Sequence, residues 1–97
     1  MIRRRVVVSG DVQGVFFRDT CRRLAGEHGA AGWVRNLSDG TVEAVFEGEP
    51  EHVRKLVDWA HEGPPMATVN TVSVHEEEPQ GLTGFEIRPT PGGFQEM

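Results

Sequence analysis

The spacing of apolar residues changes period several times along the chain, and each change marks an element. Residues 4–8, Arg-Arg-Val-Val-Val, are β-branched, apolar on both faces and stopped by Ser9-Gly10, which predicts a strand interior to its sheet. From Phe17 the apolar stripe runs through 17, 21, 24, 25 and 28, opposite Arg18, Asp19, Arg22, Arg23 and Glu27. That spacing predicts a helix stopped at Gly29.

Residues 32–37 and 41–47 alternate around Ser38-Asp39-Gly40 and predict a β-hairpin. A two-residue Asp-Gly loop would set Arg35 opposite Ala44. A three-residue loop with Gly40 left-handed sets Val34 opposite Ala44 and Arg35 opposite Glu43. The second register is expected, because it gathers Val34, Val42, Ala44 and Phe46 on one face and pairs opposite charges on the other. It also turns Asn36 toward the covered face.

Pro50 suits a first helical position, Val53, Leu56, Val57 and Ala60 form the next stripe, and Gly63-Pro64-Pro65 ends it. Val69 to His75 predicts a further strand with Val72 and Val74 inward, and Phe85-Glu86-Ile87-Arg88 a short last one before Pro89. The order β-α-β-β-α-β with a short C-terminal strand predicts an α+β, ferredoxin-like sandwich: an antiparallel sheet with two helices on one face. One domain is expected over residues 1–97, with its core at about 4–88 and 89–97 as a flexible tail.

Composition narrows the function. A formal charge of −5 argues against nucleic acid or an anionic membrane as partner. The charge is uneven: residues 1–35 hold seven Arg against three acids, a balance of +4, and residues 36–97 carry −9. A local anion site in the first part suits that split, and so does an ordinary solvated face. The single Cys21 permits no internal disulfide, and no apolar run is long enough for export or for crossing a bilayer, so a cytoplasmic location and no membrane role are expected.

Gly10 and Gly14 bracket a short strand-to-helix loop, able to aim several backbone N–H groups at one anion while the helix N-terminus adds partial positive charge. The Gly-x-x-x-x-Gly-Lys-Ser/Thr pattern of a P-loop is absent. Arg18 in the first turn opposes the helix dipole, yet its forked guanidinium could grip an anion in that loop; an exposed helical Arg is the bland alternative. Asn36 is a polar side chain on a face expected to be covered, so it needs partners, and capping the Ser38-Asp39-Gly40 turn would supply them. Cys21 lacks the Arg six residues later that a cysteine phosphatase requires and reads as a small core residue. His28, His52, His61 and His75 are scattered, so no metal site is expected. Trp33 and Trp59 read as packing residues.

Gly10-Asp11-Val12-Gln13-Gly14-Val15-Phe16-Phe17-Arg18, followed by Gly32-Trp33-Val34-Arg35-Asn36-Leu37-Ser38-Asp39-Gly40-Thr41-Val42-Glu43, resembles the two signature segments of the acylphosphatases, in the right order and spacing. The similarity runs over about residues 4–88. It implies a ferredoxin-like fold and metal-free, cofactor-free hydrolysis of carboxyl–phosphate mixed anhydrides to carboxylate and inorganic phosphate. It also implies roles: Arg18 as phosphate ligand, Asn36 as positioner of the attacking water, and the backbone of Val12, Gln13, Gly14, Val15, Phe16, Phe17 and Arg18 as phosphate-binding loop. The expected partners are a small-molecule acyl phosphate, with inorganic phosphate or sulfate competing, and a monomer is expected. The alternative is a noncatalytic ferredoxin-like regulatory or ligand-binding module. RNA binding fits it poorly, since Arg35 and Glu43 stand where stacking aromatics would be needed.

Overall fold

The computed structural model describes residues 1–92. Residues 93–97 of the expected flexible tail lie outside the described residues. The elements are β1 (Ile2–Asp11), α1 (Phe17–Glu27), β2 (Ala31–Asn36), β3 (Val42–Gly48), α2 (Pro50–Ala60), β4 (Thr68–Glu77) and β5 (Phe85–Ile87). They form one five-stranded sheet in the order β4-β1-β3-β2-β5. The first four strands are antiparallel neighbours, as expected. β5 joins β2 in parallel, Gly32 facing Phe85 and Val34 facing Ile87, so the full sheet is mixed.

The core lies between the sheet and the two helices. Val6 and Val8 of β1, Val34 of β2 and Val42, Ala44 and Phe46 of β3 meet Phe17, Cys21 and Ala25 of α1 and Val53, Leu56 and Ala60 of α2. α1 packs over β2 and β5, and α2 over β1 and β3. Neither covers β4, the edge strand on the other side. Val72 and Val74 pair with Val8 and Val6 and so share their face, but Val74 is 43% exposed, because it lies beyond the reach of α2.

The hairpin takes the three-residue register: Val34 faces Ala44, Arg35 faces Glu43, and Asn36 faces Val42. Gly40 is left-handed at φ 92°. On the open face Arg35 Nε donates to Glu43 at 2.8 Å, and the pairing continues across the sheet. Arg5 reaches Glu43 at 3.4 Å and Glu77 at 2.9 Å, while Arg3 reaches Glu77 at 2.8 Å and the buried Glu47 at 2.7 Å. Beside this ladder the guanidinium groups of Arg35 and Arg88 both lie against the Trp33 ring, 4.6 and 4.9 Å from its centroid.

Glu47 has a second task. Its carboxylate accepts the backbone N–H groups of Gln80 (2.9 Å), Gly81 (3.1 Å) and Leu82 (3.1 Å). These belong to the segment that carries the chain from β4 at one edge of the sheet to β5 at the other.

Candidate functional site

The loop from Val12 to Phe16 leaves β1 through a bulge. Register against β4 shifts between Ser9 and Gly10, and Gly10 sits at φ 125° with its α-carbon against the backbone of Thr68 and Asn70. A β-carbon there would overlap the Thr68 carbonyl, so glycine alone lets β1 turn out of the sheet at this point. Three apolar anchors then pin the loop, for the side chains of Val12, Val15 and Phe17 are all buried in the core. Phe17 also packs on Trp59, ring centroids 4.9 Å apart.

With the side chains turned inward, the backbone is left at the surface. Among the described residues, the N–H groups of Gln13, Gly14, Val15 and Phe16 donate to no protein acceptor. The N–H groups of Phe17, Arg18 and Asp19, in the first turn of α1, have no carbonyl within the helix to donate to. Among the described residues no side-chain hydrogen bond caps that helix N-terminus. The result is a run of backbone donors bent round a left-handed Gly14 (φ 75°) and Phe16 (φ 66°), ending at a helix N-terminus: the geometry of an anion cradle.

Arg18 stands at its end. Of the seven arginines in residues 1–35, six lie within 4.0 Å of a carboxylate: Arg3, Arg4, Arg5, Arg22, Arg23 and Arg35. Arg18 has no such partner among the described residues, nor any side-chain hydrogen bond. The excess positive charge of the N-terminal part is thus mostly paired within the protein, and the unpaired remainder is at the loop. A cavity of about 340 Å³ opens there, lined by Val12, Gly14, Phe16, Phe17, Arg18 and Asp19 and, from β5, Ile87.

Asn36 does not line that cavity, but the topology brings it to the same end of the molecule. α1 ends at Glu27, the chain turns through Gly29, and β2 runs back along the helix it packs against. Asn36, last residue of β2, therefore returns toward the first turn of α1. Its neighbours across the sheet, Val42 and then Val8, are both buried on the helix side, so the expected direction of its side chain holds. Asn36 Oδ1 is buried without a hydrogen-bond partner, alone in that respect among the described side-chain polar atoms. It does not cap the hairpin turn: Thr41 donates its N–H and its hydroxyl to Asp39 Oδ1 instead.

Gln13 joins the two parts. Its Nε2 donates to the carbonyls of Leu37 (2.8 Å) and Thr41 (2.9 Å), on either side of the turn that follows Asn36. Within the signature loop its side chain is thus a tie to the hairpin. No periodicity marks that tie, nor the contribution of Ile87, which depends on a parallel pairing at the far edge. Cys21 is buried in α1, and burial pushes its thiol well above the usual range, unsuited to a nucleophile. Among the described residues no three of His, Cys, Asp or Glu come together as a metal ion would need.

Comparison with known proteins gives this end of the molecule its context. The family model for acylphosphatase matches residues 4–87. An acylphosphatase of Rubrobacter xylanophilus is 61% identical over 87 residues, 89% of this chain and 79% of that one. One of Gloeobacter violaceus is 55% identical over 86 residues, 89% of this chain and 92% of the relative. The crystal structure of acylphosphatase from Bacillus subtilis superposes with a TM-score of 0.87 at 36% identity, covering 91% of this chain and 99% of that one. With the match running through both the Gly10–Arg18 loop and the Asn36 hairpin, the chain belongs to the acylphosphatase family of hydrolases.

Proposed function

We propose that the protein hydrolyses carboxyl–phosphate mixed anhydrides by direct attack of water on phosphorus, without metal, cofactor or phosphoenzyme. The observation that carries this reading is the row of unengaged N–H groups ending at Arg18, an arginine in no ion pair within 4.0 Å among the described residues. The amides and the guanidinium hold the phosphoryl oxygens and offset the charge that shifts among them as the reaction proceeds. Asn36 supplies the other half. Its buried Oδ1 lacks a donor, and a water hydrogen-bonded to it is held with a lone pair free to attack. The P–O bond to the acyl group breaks, the carboxylate leaves with the bonding pair, and the water's proton passes to a phosphoryl oxygen or to solvent. A carboxylate is a good enough leaving group to depart unprotonated, so the scheme needs neither a general acid nor a Lewis acid.

Inorganic phosphate and sulfate present the same tetrahedral oxygens and compete for the cradle. Every residue invoked comes from one chain, so a monomer suffices. The sole cysteine is a free buried thiol, which suits the reducing cytoplasm. Release of phosphate from an aryl acyl phosphate tests the proposal: turnover should persist in EDTA and be lost in Arg18→Ala. Turnover that collapses on chelation and returns with zinc or magnesium would overturn the metal-free scheme.

A further inference from the structure

Phe16 combines two unfavourable features. Its backbone is left-handed at φ 66°, and among the described residues every other positive-φ position is a glycine. Its side chain is 67% exposed at the cavity, although the next residue, Phe17, is buried against Trp59. A bulky L-residue is disfavoured in that backbone region, and an aromatic surface is disfavoured in water. No aromatic or cationic partner among the described residues offsets either cost, and two-thirds of the side chain stays exposed. Strain of this kind, kept at the rim of a site, points to use of the side chain on a ligand.

The reaction geometry says which part of the ligand. In-line displacement puts attacking water and leaving acyl oxygen on opposite sides of phosphorus. Asn36 holds the water on the buried, sheet side, so the acyl group leaves toward the solvent rim, where Phe16 stands. The charges at that rim sort acyl groups further. Among the described residues Arg18 is the one cation lining the cavity, and in the proposed scheme it is taken by the phosphoryl group. Asp19 lines it too, and the nearby Arg22 is held by Asp19 at 3.0 Å. A second carboxylate on the acyl group would meet an acid there instead of a free base.

We infer that Phe16 is the acyl-specificity determinant, selecting acyl phosphates whose acyl group is apolar and uncharged, aromatic above all, over those that carry a further carboxylate. This rests on the proposed hydrolysis. The test compares benzoyl, acetyl and succinyl phosphate on wild type and Phe16→Gly, which also relieves the backbone. Wild-type kcat/KM should favour benzoyl over acetyl phosphate by about tenfold and should be lowest for succinyl phosphate. In Phe16→Gly the benzoyl-to-acetyl ratio should fall to near one, with a melting temperature no lower than wild type. A merely structural Phe16 gives the reverse, a lower melting temperature with the ratio intact, and overturns the inference. So does succinyl phosphate matching benzoyl phosphate in the wild type.

Competing binding of benzylphosphonate and methylphosphonate, followed by thermal shift on the wild type, reads the same preference without turnover. Benzylphosphonate should bind about tenfold tighter. Equal affinity overturns the role of Phe16 even if the variant does not fold. Tight benzylphosphonate binding with no hydrolysis of any acyl phosphate defeats the proposed function alone.

Discussion

Asp39 Oδ1 accepts both the N–H of Thr41, at 3.0 Å, and its hydroxyl, at 2.6 Å, and so closes the hairpin turn without help from Asn36. The two hydrogen bonds hold the Asp39 carboxyl below the usual carboxylate range, the hydroxyl having the larger effect and the amide the next. Asn36 is then not needed to close the turn, and the proposed catalytic role and a structural one predict separable effects on turnover and stability.

Asn36→Ala should lower kcat by about 10²-fold, a loss of roughly 3 kcal/mol in the transition state, with KM and phosphate inhibition nearly unchanged. Its melting temperature should hold or rise, because the change removes a buried acceptor that has no partner. Steady-state kinetics beside a thermal melt checks both. Full turnover per folded molecule with a lowered melting temperature would return Asn36 to a structural role.

Arg18→Ala should raise KM and lower kcat together, since in the proposed scheme the guanidinium holds the phosphoryl group both before and during bond breaking. Arg18→Lys should recover only part, restoring charge without the fork. In the wild type, phosphate at a hundred times its dissociation constant should add about 2.7 kcal/mol to the unfolding free energy, and Arg18→Ala should abolish most of that gain. Urea titrations with and without phosphate give the comparison. A gain left undiminished in the variant would put the anion elsewhere.

Gln13 should behave as a positioning residue. Gln13→Glu replaces a donor by a carboxylate facing the carbonyls of Leu37 and Thr41, so it should damage kcat/KM more than Gln13→Ala does. It should also lower the urea midpoint further. Equal effects of the two variants would mean that the tie to the hairpin does not matter.

The open-face ladder predicts the response to acid. Burial alone would raise Glu47, but the Arg3 guanidinium and the amides of Gln80 and Leu82 outweigh it and hold the carboxyl below its usual value. Glu77 is lowered by Arg3 first and Arg5 next. Carboxyls whose folded values are depressed stabilise the fold fully above the unfolded value of about 4.5, and that stabilisation disappears as pH falls through the folded values. Unfolding free energy should therefore fall steeply below about pH 4.5. Glu47→Gln should be less stable at pH 7 and lose less on acidification. Parallel curves for variant and wild type from pH 7 to 2.5 would contradict this assignment.

What the sequence disclosed were relations between near neighbours. Turn chemistry at Ser38-Asp39-Gly40 set the hairpin register, and with it the Arg35–Glu43 pair and the direction of Asn36. The bracketing glycines marked the loop whose N–H groups are left unengaged, and Arg18 stands at its end. Contacts between residues far apart in the chain were not legible. Alternation put Val74 inward, but exposure depends on how far α2 extends over the sheet, which one strand's pattern does not contain. The Glu47 nest and the parallel seat of β5 depend on where the chain goes after β4. Gln13 looked like one more loop residue because its partners lie 24 and 28 positions downstream.

The short parallel strand β5 changes what the sheet shows to other molecules. Without it β2 would be an edge, and the backbone groups of Gly32 to Val34 would offer an open template to a strand from another chain. Three residues cover that template, held by bonds from Gly32 N–H to Gly84 and from Arg88 N–H to Val34. Since the segment leading into β5 is itself fastened to Glu47, the Arg3–Glu47 pair in the middle of the sheet also helps to keep its rim covered. Cover for the edge of β2 and the shape of the Arg18 cavity, through Ile87, thus depend on the same strand.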